Sequence, residues 1–226
     1  MTESAPHFDA VVFDCDGVLV DSETLSMQVS QRIVADLGWQ VDLPTMMDLF
    51  VGCSHEFFVE QVETNIGRRL TRGWDVPYRD WLEEAFRDGL TAVPGISLAL
   101  ERIELPTAVA SNSRHERIRM SLDIVGLLQR FDERISSAED VAAGKPAPDV
   151  YLHAAGILGV PPRRCIAIDD SRFGVEAARR AGMYVLAYGG RGSAERLPKG
   201  DRIFLLHDIV DLPEVLQRLV STGSPS

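Results

Sequence analysis

"VVFDCDGVLVDSE", residues 11–23, decides the fold. A short apolar, β-branched run ends in two aspartates one residue apart, Asp14 and Asp16. Extended back to Phe8, "FDAVVFD" reads as a strand buried on both faces, the kind found inside parallel sheets. Alternate side chains of extended backbone point the same way, so Asp14 and Asp16 share a side while Cys15 points away. Two carboxylates placed like this repel each other, and the rest of the chain has to supply what offsets the repulsion.

Outward from that strand, Leu25, Val29, Ile33 and Leu37 recur at four-residue intervals, an amphipathic helix closed by Gly38. Residues 44–89 continue with helical periodicity, as in "SHEFFVEQV" and "VPYRDWLEEAFRDGL", and contain no convincing strand. From "AVPG" (92–95) onward strands and helices alternate. "PTAVAS" is a strand, "RHERIRMSLDIVG" a helix, "ERISS" a weak strand, and "APDVYLHAAGILG" a helix starting near Pro148. "RCIAIDD" is a clear strand, followed by the helix "SRFGVEAARRAG" with Ser171 as N-cap and Gly182 as terminator. "MYVLAYGG" and "DRIFLL" are further strands before a closing helix. The fold class is therefore α/β, a parallel sheet flanked by helices. An all-helical domain, residues 22–91, is inserted into a core made of residues 1–21 and 92–226.

In open parallel sheets, ligands bind beyond the C-terminal ends of the strands. The residues just after each strand are therefore the candidates. The first strand supplies Asp14 and Asp16, the second Ser111 and Asn112, the loop after the third Lys145, and the "IAI" strand Asp169 and Asp170. A divalent cation neutralises several carboxylates at once, and an oxygen-rich site that keeps some water suits Mg²⁺. Lys145 adds a fixed positive charge, while Ser111 and Asn112 offer neutral donors to phosphoryl oxygens. With Asp14 as nucleophile and Asp16 handing a proton to the leaving oxygen, these groups make up the set that phosphoryl transfer needs. Each segment alone is an ordinary turn or helix cap. Their joint occurrence, each behind a strand, is what points to a site.

The bulk numbers narrow the partners. The chain has 226 residues, is 45% hydrophobic and carries a formal charge of -11. That acidity disfavours nucleic acid or an anionic membrane as partner. No run approaches the ~20 apolar residues of a membrane span. The first ten residues lack the pattern of a signal peptide, and the three scattered cysteines form no framework, so a cytoplasmic location is expected. A monomer or weak oligomer is the expected state.

"FDCDGVLVDSE", "ASNS", "GKPAPDVY" and "AIDDSRFG" resemble the four signature motifs of the haloacid dehalogenase superfamily, over essentially the whole chain. The similarity is to the β-phosphoglucomutase-like branch, which implies a Rossmann-like core with a helical cap inserted after the first motif. The resemblance implies that Asp14 becomes an aspartyl phosphate and that Asp16 is the general acid/base. It further implies that Ser111 and Lys145 bind the phosphoryl group. Mg²⁺ would be held by the Asp14 side chain, the Asp16 carbonyl and Asp170, with Asp169 as a further ligand or an orienter. The cap of such proteins opens and closes over the active site and selects the substrate.

Departures from the pattern separate the reactions of the superfamily. Dehalogenases lack the second aspartate, which is present here as Asp16. Phosphonatases need a cap lysine, and Lys145 and Lys199 are the only lysines of this chain. β-Phosphoglucomutases carry a cap histidine and a cap-loop arginine where this chain has Ser26 and His55. A phosphatase for a small phosphorylated metabolite, a phosphomonoester and above all a sugar phosphate, is thus the expected function, with a phosphosugar mutase as the alternative. A non-catalytic binding protein on the same fold is the alternative of another class, and it would be expected to have lost charged residues that are all retained. Gly52, Ser54 and His55 are candidate substrate contacts in the cap; equally, His55 is simply the residue after a Ser54 helix cap.

Overall fold

A computed structural model of the chain describes residues 7–50, 53, 55–190 and 194–222. Six strands form one sheet: β1 (Ala10–Phe13), β2 (Thr107–Ser111), β3 (Ile135–Ser137), β4 (Cys165–Asp169), β5 (Tyr184–Tyr188) and β6 (Ile203–Leu206). Every neighbouring pair is parallel, and the order is β3-β2-β1-β4-β5-β6. This is the doubly wound arrangement: the chain moves outward on one side of β1, then returns and continues on the other.

Alternation along β1 sets the two faces of the sheet. Ala10 and Val12 share one face with Ala108, Ala110, Cys165, Ala167, Val185 and Ala187. Helices α8 (Asp149–Leu158) and α9 (Arg172–Arg180) cover that face through Tyr151, Ala154, Val175 and Ala178. The small strand residues let these helices approach closely. Phe13 points the other way, its ring edge-on to Phe131 of α7 (Leu128–Phe131) with centroids 5.9 Å apart. Burying a phenylalanine fully is worth roughly 1.5–3 kcal/mol, so a register slip in β1 would be strongly disfavoured. Phe8, read as part of the strand, lies just before it and packs edge-on against Tyr184 at 4.7 Å. Two more helices belong to this region, α5 (Ile96–Glu101) and α6 (His115–Ile124), and α10 (Leu212–Thr222) closes it.

Contacts divide the chain into two units, Met1–Asp21 with Thr91–Ser226, and Ser22–Leu90. The second unit consists of α1 (Glu23–Asp36), α2 (Leu43–Phe50), α3 (His55–Ile66) and α4 (Arg79–Gly89). Met27, Val34, Met46, Phe50 and Val62 form its core, with Trp39 and Phe58 edge-on to Phe50 at 6.0 and 4.9 Å. The buried face of α1 is turned from the expected one: Met27, Val29 and Val34 are buried, whereas Leu25 and Ile33 are half-exposed. α2 and α4 both pack on α1, so the side chains between them go inside. Among the described residues, no helix is long and apolar enough to cross a membrane.

Candidate active site

The C-terminal ends of β1, β2 and β4 bring the charged residues together. Asp14 follows Phe13 and so returns to the face covered by α8. Its N–H donates to the Ile168 carbonyl at 2.9 Å, which aligns Asp14 beside Asp169 at the end of β4. Lys145 completes the group. Its Nζ donates to Asp14 Oδ1 at 2.7 Å and to Asp169 Oδ2 at 2.7 Å, with its side chain only 5% exposed. The opening repulsion is thus partly offset by a buried ammonium.

Asp169 is completely buried and its oxygens are well supplied with donors. Oδ2 accepts from Lys145 and from the Tyr151 hydroxyl at 2.6 Å. Oδ1 accepts from the Ser171 backbone N–H at 2.9 Å and hydroxyl at 2.8 Å. The Ser171 hydroxyl in turn accepts from Gly174 N–H at 3.0 Å, capping α9 as its sequence position suggests. These bonds fix the Asp169 carboxylate, and the direction of the Lys145 side chain follows from it.

The electrostatics leave a surplus of negative charge. Burial pushes the Asp14 carboxyl from 3.8 up to about 7; Lys145 opposes the rise, while Asp169 and Asp16 add to it. Burial also works against the Lys145 charge, but attraction to Asp14 and Asp169 outweighs it and its pKa is raised. Burial raises Tyr151 well above the ordinary phenol value, with the neighbouring carboxylates adding to the rise, so it stays a donor.

Oxygens of Asp14, Asp169 and Asp170 lie within 4.8 Å of one another. An all-carboxylate set of this size, with more negative charge than Lys145 neutralises, fits a hard divalent cation. Since Asp169 is already held by four donors, Asp14 and Asp170 are the side chains suited to ligate it. Gly17 makes room: it adopts φ +81°, and a Cβ there would sit 1.9 Å from Asp170 Oδ2.

Asp16 faces the start of α6. Its Oδ2 accepts from the Ser113 hydroxyl at 3.0 Å, and its Oδ1 pairs with Arg117 at 3.2 Å. Ser111 is buried, and its hydroxyl accepts the Ser113 N–H at 3.1 Å. The Asn112 side chain is engaged with the Lys145 peptide in both directions. Its Oδ1 accepts from Lys145 N–H at 2.7 Å and its Nδ2 donates to the Lys145 carbonyl at 3.2 Å. Asn112, read from the sequence as a phosphate donor, ties down the lysine loop through these two bonds. A Cβ at Gly144 would meet Asn112 Oδ1 at 2.6 Å, which explains the glycine before the lysine.

Sequence reasoning missed Tyr151, Ser113 and Arg117. Tyr151 belongs to "GKPAPDVY" and Ser113 to "ASNS", so both stood within quoted motifs, whereas nothing in the sequence marked Arg117. Gly52 and Ser54 lie outside the described residues, as does the side chain of His55, whose backbone starts α3.

Residues 8–182 match the haloacid dehalogenase-like hydrolase family, and the chain belongs to it. It falls among the phosphoric monoester hydrolases. It is 29% identical over 183 residues to 6-phosphogluconate phosphatase of Escherichia coli, covering 80% of this chain and 83% of that protein. It is 30% identical over 198 residues to a phosphorylated carbohydrates phosphatase of Thermotoga maritima, covering 77% and 82%. A solved haloacid dehalogenase-like protein of Agrobacterium tumefaciens superposes with a TM-score of 0.82 at 33% identity, over 95% of this chain and all of that one.

Proposed function

We propose that the protein is a Mg²⁺-dependent phosphatase that hydrolyses a phosphorylated sugar, or a closely related small phosphomonoester, through a phosphorylated Asp14. The observation that carries this reading is the Lys145 ammonium shared between Asp14 and Asp169, with Asp170 beside them. The sugar-phosphate class is supported by the relatives, two of which are named for phosphorylated carbohydrates or sugar acids.

Asp14, Asp170 and the Asp16 carbonyl would hold the metal, which when bound supplies positive charge to the carboxylates and to the phosphoryl oxygens. Asp14 Oδ forms a bond to phosphorus while the ester P–O bond breaks, and the leaving oxygen takes a proton from Asp16. Water then attacks the same phosphorus, gives a proton to Asp16, and the Asp14–phosphorus bond breaks to release inorganic phosphate. Lys145 binds a phosphoryl oxygen as a compact point charge, a task a planar guanidinium performs differently. Ser111 donates a neutral hydrogen bond to the same group. Choice among esters is assigned to the helical unit.

The test is phosphate release from a panel of sugar phosphates, ranked by kcat/KM, with Mg²⁺ or with EDTA, in the wild type and in Asp14→Asn. Turnover that needs the metal and vanishes in Asp14→Asn is expected. Undiminished turnover in Asp14→Asn would overturn the nucleophile assignment. Interconversion of hexose phosphates with a bisphosphate activator, without net phosphate release, would favour the mutase.

A further inference from the structure

We propose that Arg117 is a positioning residue for Asp16. The inference rests on the phosphatase reading, in which Asp16 transfers a proton to the leaving oxygen as the Asp14–phosphorus bond forms and the ester P–O bond breaks.

Asp16 sits in a turn between β1 and the helical insertion, with its side chain 30% exposed. A proton donor must keep its oxygen within a fraction of an ångström of the reacting atom, and displacements near 1 Å cost about 10²-fold in rate. A short side chain on a turn does not meet that requirement unaided. Arg117 and Ser113 meet it from outside the turn. The guanidinium reaches across 101 residues of sequence to Oδ1, while the Ser113 hydroxyl donates to Oδ2.

Both anchors stand on fixed supports. Arg117 lies in the first turn of α6, whose Ile118, Ser121 and Leu122 are buried. Ser113 is pinned by its N–H to Ser111 Oγ at 3.1 Å and by its carbonyl, which accepts from Ser137 Oγ at 2.7 Å. Neighbouring arginines behave differently. Arg114 pairs with Glu116 at 3.7 Å and Arg119 with Asp132 at 3.6 Å, both more than 40% exposed. Exposed pairs of that kind contribute little. Arg117, at 29% exposed, directs its charge into the site.

The test compares kcat/KM for a sugar phosphate, whose leaving oxygen needs a proton, with that for p-nitrophenyl phosphate, whose leaving group does not. In Arg117→Met the sugar ester should lose about 10- to 100-fold and the aryl ester less than about threefold. Arg117→Lys should recover part of the loss. In an Asp16→Asn background, Arg117→Met should add nothing further, because the group it positions is gone. Arg117→Gln serves the same comparison should Arg117→Met not fold. Equal losses on both esters, or none on either, overturn the inference if Asp16→Asn itself discriminates between them; the phosphatase reading then stands. An Asp16→Asn protein that treats both esters alike removes the proton-donor role of Asp16 and the Arg117 inference with it. Metal-dependent turnover that vanishes in Asp14→Asn would still leave the phosphatase reading intact in that case.

Discussion

Lys145 reaches Asp14 across 131 residues of sequence, its Nζ 2.7 Å from Oδ1. With 5% of the lysine side chain and 11% of the aspartate exposed, water cannot substitute for either partner. Removing one partner of a buried pair leaves an uncompensated charge, at a cost of about 3–5 kcal/mol. Lys145→Met should therefore lose stability of that order in metal-free protein and should also lose turnover. Adding Mg²⁺ should restore part of the stability but not the turnover. Urea unfolding with EDTA or Mg²⁺, beside a phosphate-release assay, checks both; a variant as stable as the wild type in EDTA would contradict it.

Metal-free protein should also respond to pH in a particular direction. The Asp14 carboxyl is raised from 3.8 to about 7, first by burial. Between those values the folded state binds more protons than the unfolded chain. Stability attributable to this group is thus present below about 4 and falls as pH rises toward 7. In EDTA, wild type should lose stability relative to Asp14→Asn between pH 5 and 7.5, and Mg²⁺ should close the gap by binding the ionised form. A gap that widens in favour of wild type with rising pH would reverse the sign of this account.

The Tyr151 hydroxyl is one of the donors that hold Asp169, at 2.6 Å in a fully buried setting. Tyr151→Phe removes that donor and leaves the shape of the ring. A buried acceptor deprived of one partner costs about 1–3 kcal/mol. The variant should unfold at correspondingly lower urea, and kcat should fall because Lys145 and Asp169 are no longer held together. Unchanged kcat alongside lowered stability would show that Tyr151 supports the fold alone.

The strand-end aspartates were legible because each follows an apolar run whose direction fixes where it ends, and Lys145 because it lies in the loop after the third strand. Their convergence follows from parallel topology rather than from any one segment. Arg117 was not legible: an arginine on an amphipathic helix is ordinarily solvated, and only the placement of α6 against the first loop gives it a partner. The bonds of Asn112 to backbone atoms of Lys145, 33 residues away, come only with the fold and had no signal in the sequence. Helices α5 and α7, with 6 and 4 residues, are too short to show a period. In α1 the buried set depends on what packs against it, and a single-helix pattern carries no record of its neighbours.

Two glycines in helices separate local preference from packing at the site. Gly156 lies in α8, exposed, with nothing within 4 Å of a Cβ built there. Gly174 lies in the first turn of α9, where a Cβ would fall 1.8 Å from Asp169 Oδ2 and 2.1 Å from its carboxyl carbon. Intrinsic helix preference favours alanine over glycine by about 1 kcal/mol within a helix. Gly156→Ala should therefore gain about 0.5–1 kcal/mol with activity unchanged, since it touches no site residue. Gly174→Ala cannot realise the same preference. The carboxylate it would strike is bonded to Lys145, Tyr151 and Ser171 and has no room to retreat. Displacing Asp169 also shifts Lys145, so turnover should fall at least about 10²-fold. Urea unfolding and phosphate release measured on both variants decide the matter, and a Gly174→Ala protein with wild-type turnover would mean that the Asp169 cluster does not set the catalytic geometry.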